Sequence, residues 1–511
     1  MPILNVESAV IAGVTTSVRQ KMVAALLGAA IVSIGAPAVA GADQWIEVKS
    51  PNVTVTSSAG GGSTKTLAWQ LEQVRSAVKT LWPWARVDLD RQFTVLAVDD
   101  ERGMRALVPQ YWEKRGGGHP ASVWVSAPDQ HFLAIRTDMQ AEGDARINPH
   151  ITAYFSYVSL ILNQSVETDI PLWLSRGLAG VLSNTIVRDS ELLIGAPIPW
   201  HLELLRAGRR LRVPDLVRMT LQSREMSNEE GKQLFDAESW AFVHYLMFGS
   251  QGARAAQLNQ FFKLISSGTS VDAGFRESLG KAEDLETGFV LYLNQSIFTF
   301  AQLKVDVSVR REGFSQRTLA PAESASTRAL LHVAMQRPVE ARTAIAEARK
   351  ADSAAPDCHV AEGLLLDQEG KRDEAAAAFA RAVSAGSKSS YAHYRLAGLR
   401  WAPGADRPVL QEIEKLLRQA VGLNARNAPA YAMLGEIRSV LGDTDSLGLA
   451  IRATQLEPAE SSYRLTVARI LMRQKRFDEA AKAAEAGLSL ARTPEEGQAA
   501  RELQQAIQRA R

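Results

Sequence analysis

The chain has 511 residues, enough for about three folding units at roughly 150 residues each, and it is 46% hydrophobic and 22% charged. Those proportions exclude intrinsic disorder, collagen-like sequence and a polytopic membrane protein. Fifty-eight Lys and Arg against 56 Asp and Glu leave a net charge of +2, too balanced for a general nucleic-acid binder. The single cysteine, Cys358, excludes an intramolecular disulfide, a CxxC redox pair and a multi-cysteine zinc site.

At the N-terminus, Arg19 and Lys21 precede an uncharged run from Met22 to Ala42, apolar through MVAALLGAAIVSIG and broken at Pro37. Ala38-Val39-Ala40 and Ala40-Gly41-Ala42 are both small-x-small exits. A positive flank, an apolar core and a small-residue exit predict a secretory signal peptide over 1–42, hence export to a bacterial periplasm or beyond. The run is also just long enough to span a bilayer, so an uncleaved N-terminal anchor is the alternative. Gly28, Gly35, Pro37 and Gly41 weigh against it, and Met22 is an alternative start to Met1.

Residues 43–310 read as one α+β domain. Trp45–Lys49 and Val53–Thr56 alternate as strands do, and a helix follows across Thr66–Leu81. Phe93–Val98, Ser122–Val125 and His131–Arg136 are further strands, and after Asp144 the pattern turns helical almost without interruption. A small sheet followed by helices is the α+β order. Gly60-Gly-Gly-Ser-Thr-Lys-Thr66 sits where a phosphate loop would, but it lacks the glycine before Lys65. It reads as a turn with Ser63 or Thr64 capping the helix. Arg206, Arg209, Arg210 and Arg212 read as a solvated helix end. No GxSxG occurs, so serine and cysteine nucleophile templates fail.

In the next stretch Asn148 can cap a helix that opens on Pro149. Ile151, Tyr154, Phe155, Val158 and Leu162 then form an apolar stripe. With Trp173-Leu-Ser-Arg-Gly-Leu-Ala179, Gly195-Ala-Pro-Ile-Pro199 and Glu238-Ser-Trp240, this layout resembles the exported peptidase-MA-like domain of gluzincin-type metallopeptidases, which often precedes tetratricopeptide repeats. The resemblance implies HExxH where this chain has HITAY, and W-L-x-E-G-L-A where it has WLSRGLA. It places His150 at the first zinc ligand, Ile151 at the general base, Tyr154 at the second ligand and Arg176 at the third. Zinc needs imidazoles one turn apart plus a further lone-pair donor, and a guanidinium has no available lone pair. A degenerate centre follows, with no cofactor and no catalytic residue. Its former pocket is expected to be tightly packed, and Arg176 to reach solvent or pair with a carboxylate, Glu238 being the first candidate.

After a linker at 311–321 the sequence repeats. Small residues recur at Ala329, Gly363, Ala397, Gly435 and Ala468. A second register runs Ala341, Ala375, Ile413, Leu447, Ala480, and a third runs Ile345, Phe379, Leu417, Ile451, Ala484. The one longer step is explained by an insertion, Trp401–Pro408. Segments such as GKRDEAAAAFARAV and QKRFDEAAKAAEAGLSLA look like tetratricopeptide second helices. About five units span 322–493, with 494–511 as a capping helix. Such an array implies a groove for a protein or peptide partner, here lined by Tyr394, Glu436 and Arg469. The alternative is a spacer that stacks on the N-terminal domain. Cys358 reads as a small buried hydrophobe. The function expected is an exported, non-catalytic adaptor. The alternative is an active hydrolase with a relocated site. No nucleic acid is expected as partner, and a membrane only through an uncleaved N-terminal segment.

Overall fold

The structure, a computed structural model, describes residues 44–113, 119–139, 147–165, 170–208 and 210–511, together with the backbone of one strand near the N-terminus. The apolar leader and its cleavage sites lie outside the described residues.

That first strand is β1 (Asn5–Val10). β2 (Ile46–Lys49) and β3 (Thr54–Ser57) form a hairpin, and α1 (Gly61–Leu81) carries the chain across to β4 (Gln92–Val98). After α2 (Glu101–Leu107), β5 (Ser122–Ser126) and β6 (Gln130–Arg136) make a second hairpin. α3 (Ile151–Ser165) and α4 (Leu172–Ser183) lead to the short pair β7 (Ile186–Val187) and β8 (Glu191–Ile194). α5 (Pro199–Arg206), α6 (Val213–Leu216), α7 (Glu229–Phe248), α8 (Ala255–Ser266), α9 (Val271–Leu279) and α10 (Ala282–Leu293) complete the helical layer. The chain then returns through β9 (Ile297–Lys304) and β10 (Ser315–Thr318).

The main sheet has the order β10-β2-β3-β4-β6-β5, parallel at β3–β4 and β4–β6 and antiparallel elsewhere. A second, antiparallel sheet runs β1-β9-β8-β7. The stretch after Asp144 is therefore less helical than the sequence pattern suggests, and 311–321 holds a strand where a linker is expected. The alternation of buried Phe298 and Phe300 in β9 is the signal for that returning strand. α1 begins at Gly61, and Gly60 at φ +74° stands at its cap position with no side-chain cap from Ser63 or Thr64. Glycine alone adopts that backbone freely.

Strand alternation gives the main sheet two unlike faces. Val48, Val55, Phe93, Val95, Leu133 and Ile135 face the helical layer, where α1 buries Leu67, Leu71, Val74 and Val78 at helical spacing. α4 and α7 approach so closely that a Cβ on Gly177 would lie 2.3 Å from Val243 Cγ2 and 2.4 Å from the Ser239 carbonyl oxygen. Beside that contact Trp173 is enclosed by the rings of Phe242, Phe261 and Phe275.

The last third is an all-α solenoid of five helix hairpins, α11/α12 (Pro321–Ala334, Pro338–Ala351), α13/α14 (Pro356–Gln368, Arg372–Ser384), α15/α16 (Ser390–Arg400, Arg407–Leu423), α17/α18 (Ala428–Leu441, Ser446–Leu456) and α19/α20 (Ser461–Arg473, Phe477–Leu490). α21 (Pro494–Ala510) closes the end. Ala329, Ala397 and Ala468 are fully buried, and a Cβ on Gly363 would meet the Phe379 ring at 2.7 Å. The insertion 401–408 spans the turn between α15 and α16, where Asp406 accepts the Val409 amide at 3.0 Å. One register differs from the sequence reading: in α18 the inward residues are Ser446 and Ala450, one position before Leu447 and Ile451, and Ile451 is 40% exposed. Gly435 explains the shift. A Cβ there would lie 2.8 Å from the Ser446 carbonyl oxygen and 3.3 Å from Ala450 Cβ, so only small residues fit opposite it.

The solenoid leans on the second face of the main sheet. Leu319 and Leu331 join Leu96, Val98, Phe132 and Ala134 in one apolar cluster. At the other contact Asn424 Nδ2 donates to the Asp90 carbonyl oxygen at 3.2 Å and Arg426 Nη1 to that of Asp88 at 2.7 Å.

Candidate functional site

The four positions that the peptidase resemblance singles out do not come together as a metal centre. Asn148 precedes α3 and accepts the His150 amide on Oδ1 at 2.9 Å, while its own amide donates to Asn184 Oδ1 at 2.7 Å. Asn184 Nδ2 in turn donates to the carbonyls of Ala196 and Pro197, tying the Gly195–Pro199 loop to the start of α3. His150 is thereby held only 8% exposed, with Nδ1 lacking a hydrogen-bond partner among the described residues. Burial pushes its imidazole down to about 4, so it is neutral at physiological pH. Ile151 packs on the core, and Tyr154 is buried with its phenol pushed upward by the same desolvation.

His150 and Tyr154 line a cavity of about 480 Å³ together with Ser63, Thr66, Gln70 and Thr185. This corrects the expectation of a tightly packed pocket: the first turn of α1 stands back from α3 instead of closing on it. Among the described residues the lining offers hydroxyls and amides and no carboxylate. A lone imidazole with such neighbours does not fit zinc, and no group of three His, Cys, Asp or Glu able to hold a metal occurs among the described residues.

Arg176 sits in a different environment. Its Nε and Nη2 reach Asp236 at 2.6 and 2.5 Å, and its guanidinium lies 4.8 Å from the Phe155 ring centroid. A carboxylate partner is as expected, but it is Asp236 and not Glu238. Two residues apart on α7, these side chains point in nearly opposite directions. Glu238 faces the core, where Oε1 accepts the Leu211 amide at 3.1 Å and Oε2 has no partner among the described residues. Burial raises its carboxyl to about 8.

The second candidate lies between the two regions of the chain. Beyond the apolar cluster, the solenoid-facing side of the main sheet turns polar: Glu47, Lys49, Thr54, Thr56, Gln92 and Thr94 alternate with the core residues. Opposite stand the N-terminal ends of the first helices of successive hairpins, with Asp357, Ser390, Tyr391 and Asn427. These two walls enclose about 690 Å³, the larger of the two spaces. Within it Glu47 pairs with Lys49 at 3.2 Å and with Arg317 at 2.8 Å, and Asp90 pairs with Arg91 at 3.4 Å.

The residues proposed from the sequence for the groove lie deeper along the solenoid. Tyr394 stacks edge-on against Tyr391, with centroids 5.8 Å apart. Glu436 and Arg469, from consecutive hairpins, pair with each other at 3.2 Å, and Arg473 also reaches Glu436. The structure thus joins Glu436 to Arg469 as a bridge between units and leaves Tyr394 one unit away. Tyr391, three residues before Tyr394, is the aromatic that reaches the cavity. The sequence signal for it was the first turn of each first helix, which repeat spacing does not distinguish from the remainder. Cys358 is buried, its thiol 3.6 Å from the Ile345 carbonyl oxygen, and burial raises its pKa.

No protein-family model matches the chain, and no curated protein matches it. Among solved structures the chain is similar to YrrB, described as a TPR protein with an unusual peptide-binding site, at 17% identity over 35% of this chain and 92% of that chain (TM-score 0.30). It is similar to a thermophilic TPR protein of Thermus thermophilus at 20% identity over 37% of this chain and 98% of that one (TM-score 0.27). MamA is a third, at 19% identity, 31% and 91% coverage and a TM-score of 0.27. The assignment of tetratricopeptide-type repeats rests on the hairpins and their period. No helix among the described residues is long and apolar enough to cross a membrane.

Proposed function

We propose that this protein is an exported, non-catalytic adaptor in which a degenerate peptidase-like domain and a tetratricopeptide solenoid together receive a protein or peptide. The observation that carries this reading is the cavity between the polar sheet face and the first helices of the solenoid. A spacer that merely stacked on the domain would exclude water from that contact, yet it retains about 690 Å³ lined by charged and hydroxyl side chains. Support for the non-catalytic half comes from Ile151 and Arg176, which offer neither a base nor a lone pair, and from Tyr154, whose buried phenol is held protonated. Support for export is the leader sequence alone.

Equilibrium dialysis against zinc, with a peptide-hydrolysis assay on the same samples, tests the non-catalytic half. The unmodified protein should retain no stoichiometric zinc and hydrolyse no peptide. Stoichiometric zinc that is lost in His150→Ala, or zinc-dependent hydrolysis, would contradict the reading.

A further inference from the structure

Three carboxylates line the interdomain cavity without a cationic partner among the described residues: Asp129 at the β5–β6 turn, Asp357 in the first turn of α13 and Glu457 just after α18. Asp129 accepts one long bond from Gln130 Nε2 at 3.3 Å, and Glu457 one from the Tyr463 hydroxyl at 3.2 Å. The cations of the lining are largely committed elsewhere, Lys49 and Arg317 to Glu47, Arg91 to Asp90, and Arg426 to the Asp88 carbonyl. Arg91 acts on Asp129 and Glu457 only through space while paired with Asp90, which leaves Lys388 as the unpaired lining cation among the described residues for three carboxylates. Burial raises the proton affinity of Asp129 and Glu457, and partial enclosure with the neighbouring Glu323 and Glu47 raises that of Asp357, whose side chain stays exposed to water.

A separate observation points to the same space. Thr56 is only 3% exposed, lines the cavity, and its hydroxyl has no hydrogen-bond partner among the described residues. The Thr56 oxygen is not sealed off from solvent, so it opens on the cavity, where a ligand can reach it. Tyr391 adds an aromatic ring to the lining, the kind of surface that cations favour.

We infer that the interdomain cavity is a binding site for a basic peptide segment, whose ammonium or guanidinium groups are received by Asp129, Asp357 and Glu457 beside Tyr391. The inference rests on the adaptor reading and names the chemistry of the partner. The carboxylates come from three elements on both walls, so they suit charges distributed along a chain better than a single compact cation. Threonine, glutamine and asparagine side chains between them can bond backbone amides.

The test is fluorescence anisotropy on the full chain with a labelled short oligolysine peptide, an oligoglutamate peptide of equal length, and spermine as unlabelled competitor. The oligolysine should bind, weaken as salt rises, and resist displacement by spermine at equal charge concentration. Asp129→Asn, Asp357→Asn and Glu457→Gln should each weaken it roughly five- to tenfold, as expected for one charge-assisted contact, and the triple variant should abolish it. Asp478→Asn, on the far end of the solenoid, should leave binding unchanged. Melting temperatures should hold or rise in Asp129→Asn and Glu457→Gln, because an unpaired, partly desolvated carboxylate is being neutralised, and should hold in Asp357→Asn, where the carboxylate is exposed; a merely structural role would lower them. Full displacement by spermine would overturn the peptide assignment, and undiminished binding by the triple variant would overturn the site. Binding of oligoglutamate in place of oligolysine would overturn the charge assignment while leaving the adaptor reading standing. Failure of both peptides to bind would count against both.

Discussion

The N-terminal domain and the solenoid use the same device, a residue without a side chain where helices touch, with unequal tightness. Gly177 in α4 is pressed on α7, where its Cβ would lie 2.3 Å from Val243 Cγ2 and 2.4 Å from the Ser239 carbonyl oxygen, inside a core that also holds Trp173 and Trp240. Gly435 in α17 faces a single neighbouring helix in an array where each hairpin mainly touches the next. Polar groups separate the two regions further. The solenoid neutralises charges between units, as in Asp367–Arg395, Arg349–Glu362 and Glu436–Arg469. The N-terminal domain buries His150, Glu238 and the Trp240 indole nitrogen without complete partners. The solenoid leaves such atoms too, on His332, His359 and Ser446 among the described residues, so the contrast lies in where charges pair and not in whether every buried polar atom is satisfied.

The largest expected effect follows from that one-dimensionality. Deleting 427–511 removes the last two hairpins and the cap, and uncovers a face of α16, so the remaining hairpins should lose on the order of several kcal/mol and melt earlier. Circular dichroism melting measures it, and an unchanged melting temperature would show that the units are independent.

Next, Gly177→Ala should destabilise the protein by about 3 kcal/mol through overpacking, against about 1 kcal/mol for Gly435→Ala, since the array can yield by a small rotation between helices. Denaturant titration of both variants compares them directly; equal losses would erase the contrast between the two regions.

Glu238 supplies a pH signature. Its carboxyl keeps its proton up to about pH 8 in the folded state but only to about 4.5 when unfolded, so the unfolded chain releases a proton that the native state retains. Stability should therefore fall as pH rises from 4.5 to 8 on account of this group. Glu238→Gln should remove that slope and be more stable at pH 8, by about 2 kcal/mol after allowance for water penetration. Parallel slopes for the two proteins would place the carboxyl in a wetter setting. The smallest effect on the folded body concerns the leader. Cleavage after Ala40 or Ala42 in the native host would also remove β1 and free one edge of β9, and N-terminal sequencing decides it.

The two regions also differ in how much of them the sequence discloses. Repeat spacing revealed the five hairpins and the cap because close helix contact demands small residues at fixed intervals, and Ala329, Gly363 and Ala397 meet that demand. It missed the one-residue shift at Ser446 and Ala450, since Leu447 and Ile451 fit the apolar pattern equally well and only Gly435 opposite decides between them. In the N-terminal domain, the strands with plain alternation were legible. β10, with SQRT, has no apolar pattern, and its pairing with β2 comes from chain return alone. For the candidate sites, HITAY and Arg176 carry the expectation of a degenerate metal centre, which rests on the resemblance alone. The partner of Arg176 depended on helix phase, and the interdomain cavity on two walls more than two hundred residues apart, which no local pattern reports.

One measurement sets the two candidate sites against each other. A photo-crosslinking amino acid is placed at position 391 or at position 150 of the full chain, expressed in the native host, and irradiated. If the interdomain cavity is the receiving surface, the Tyr391-position probe should yield a discrete protein adduct that competing oligolysine suppresses, and the His150-position probe should yield none. Adducts from position 150 with none from position 391 would contradict the account, and would return the function to the cavity beside α3.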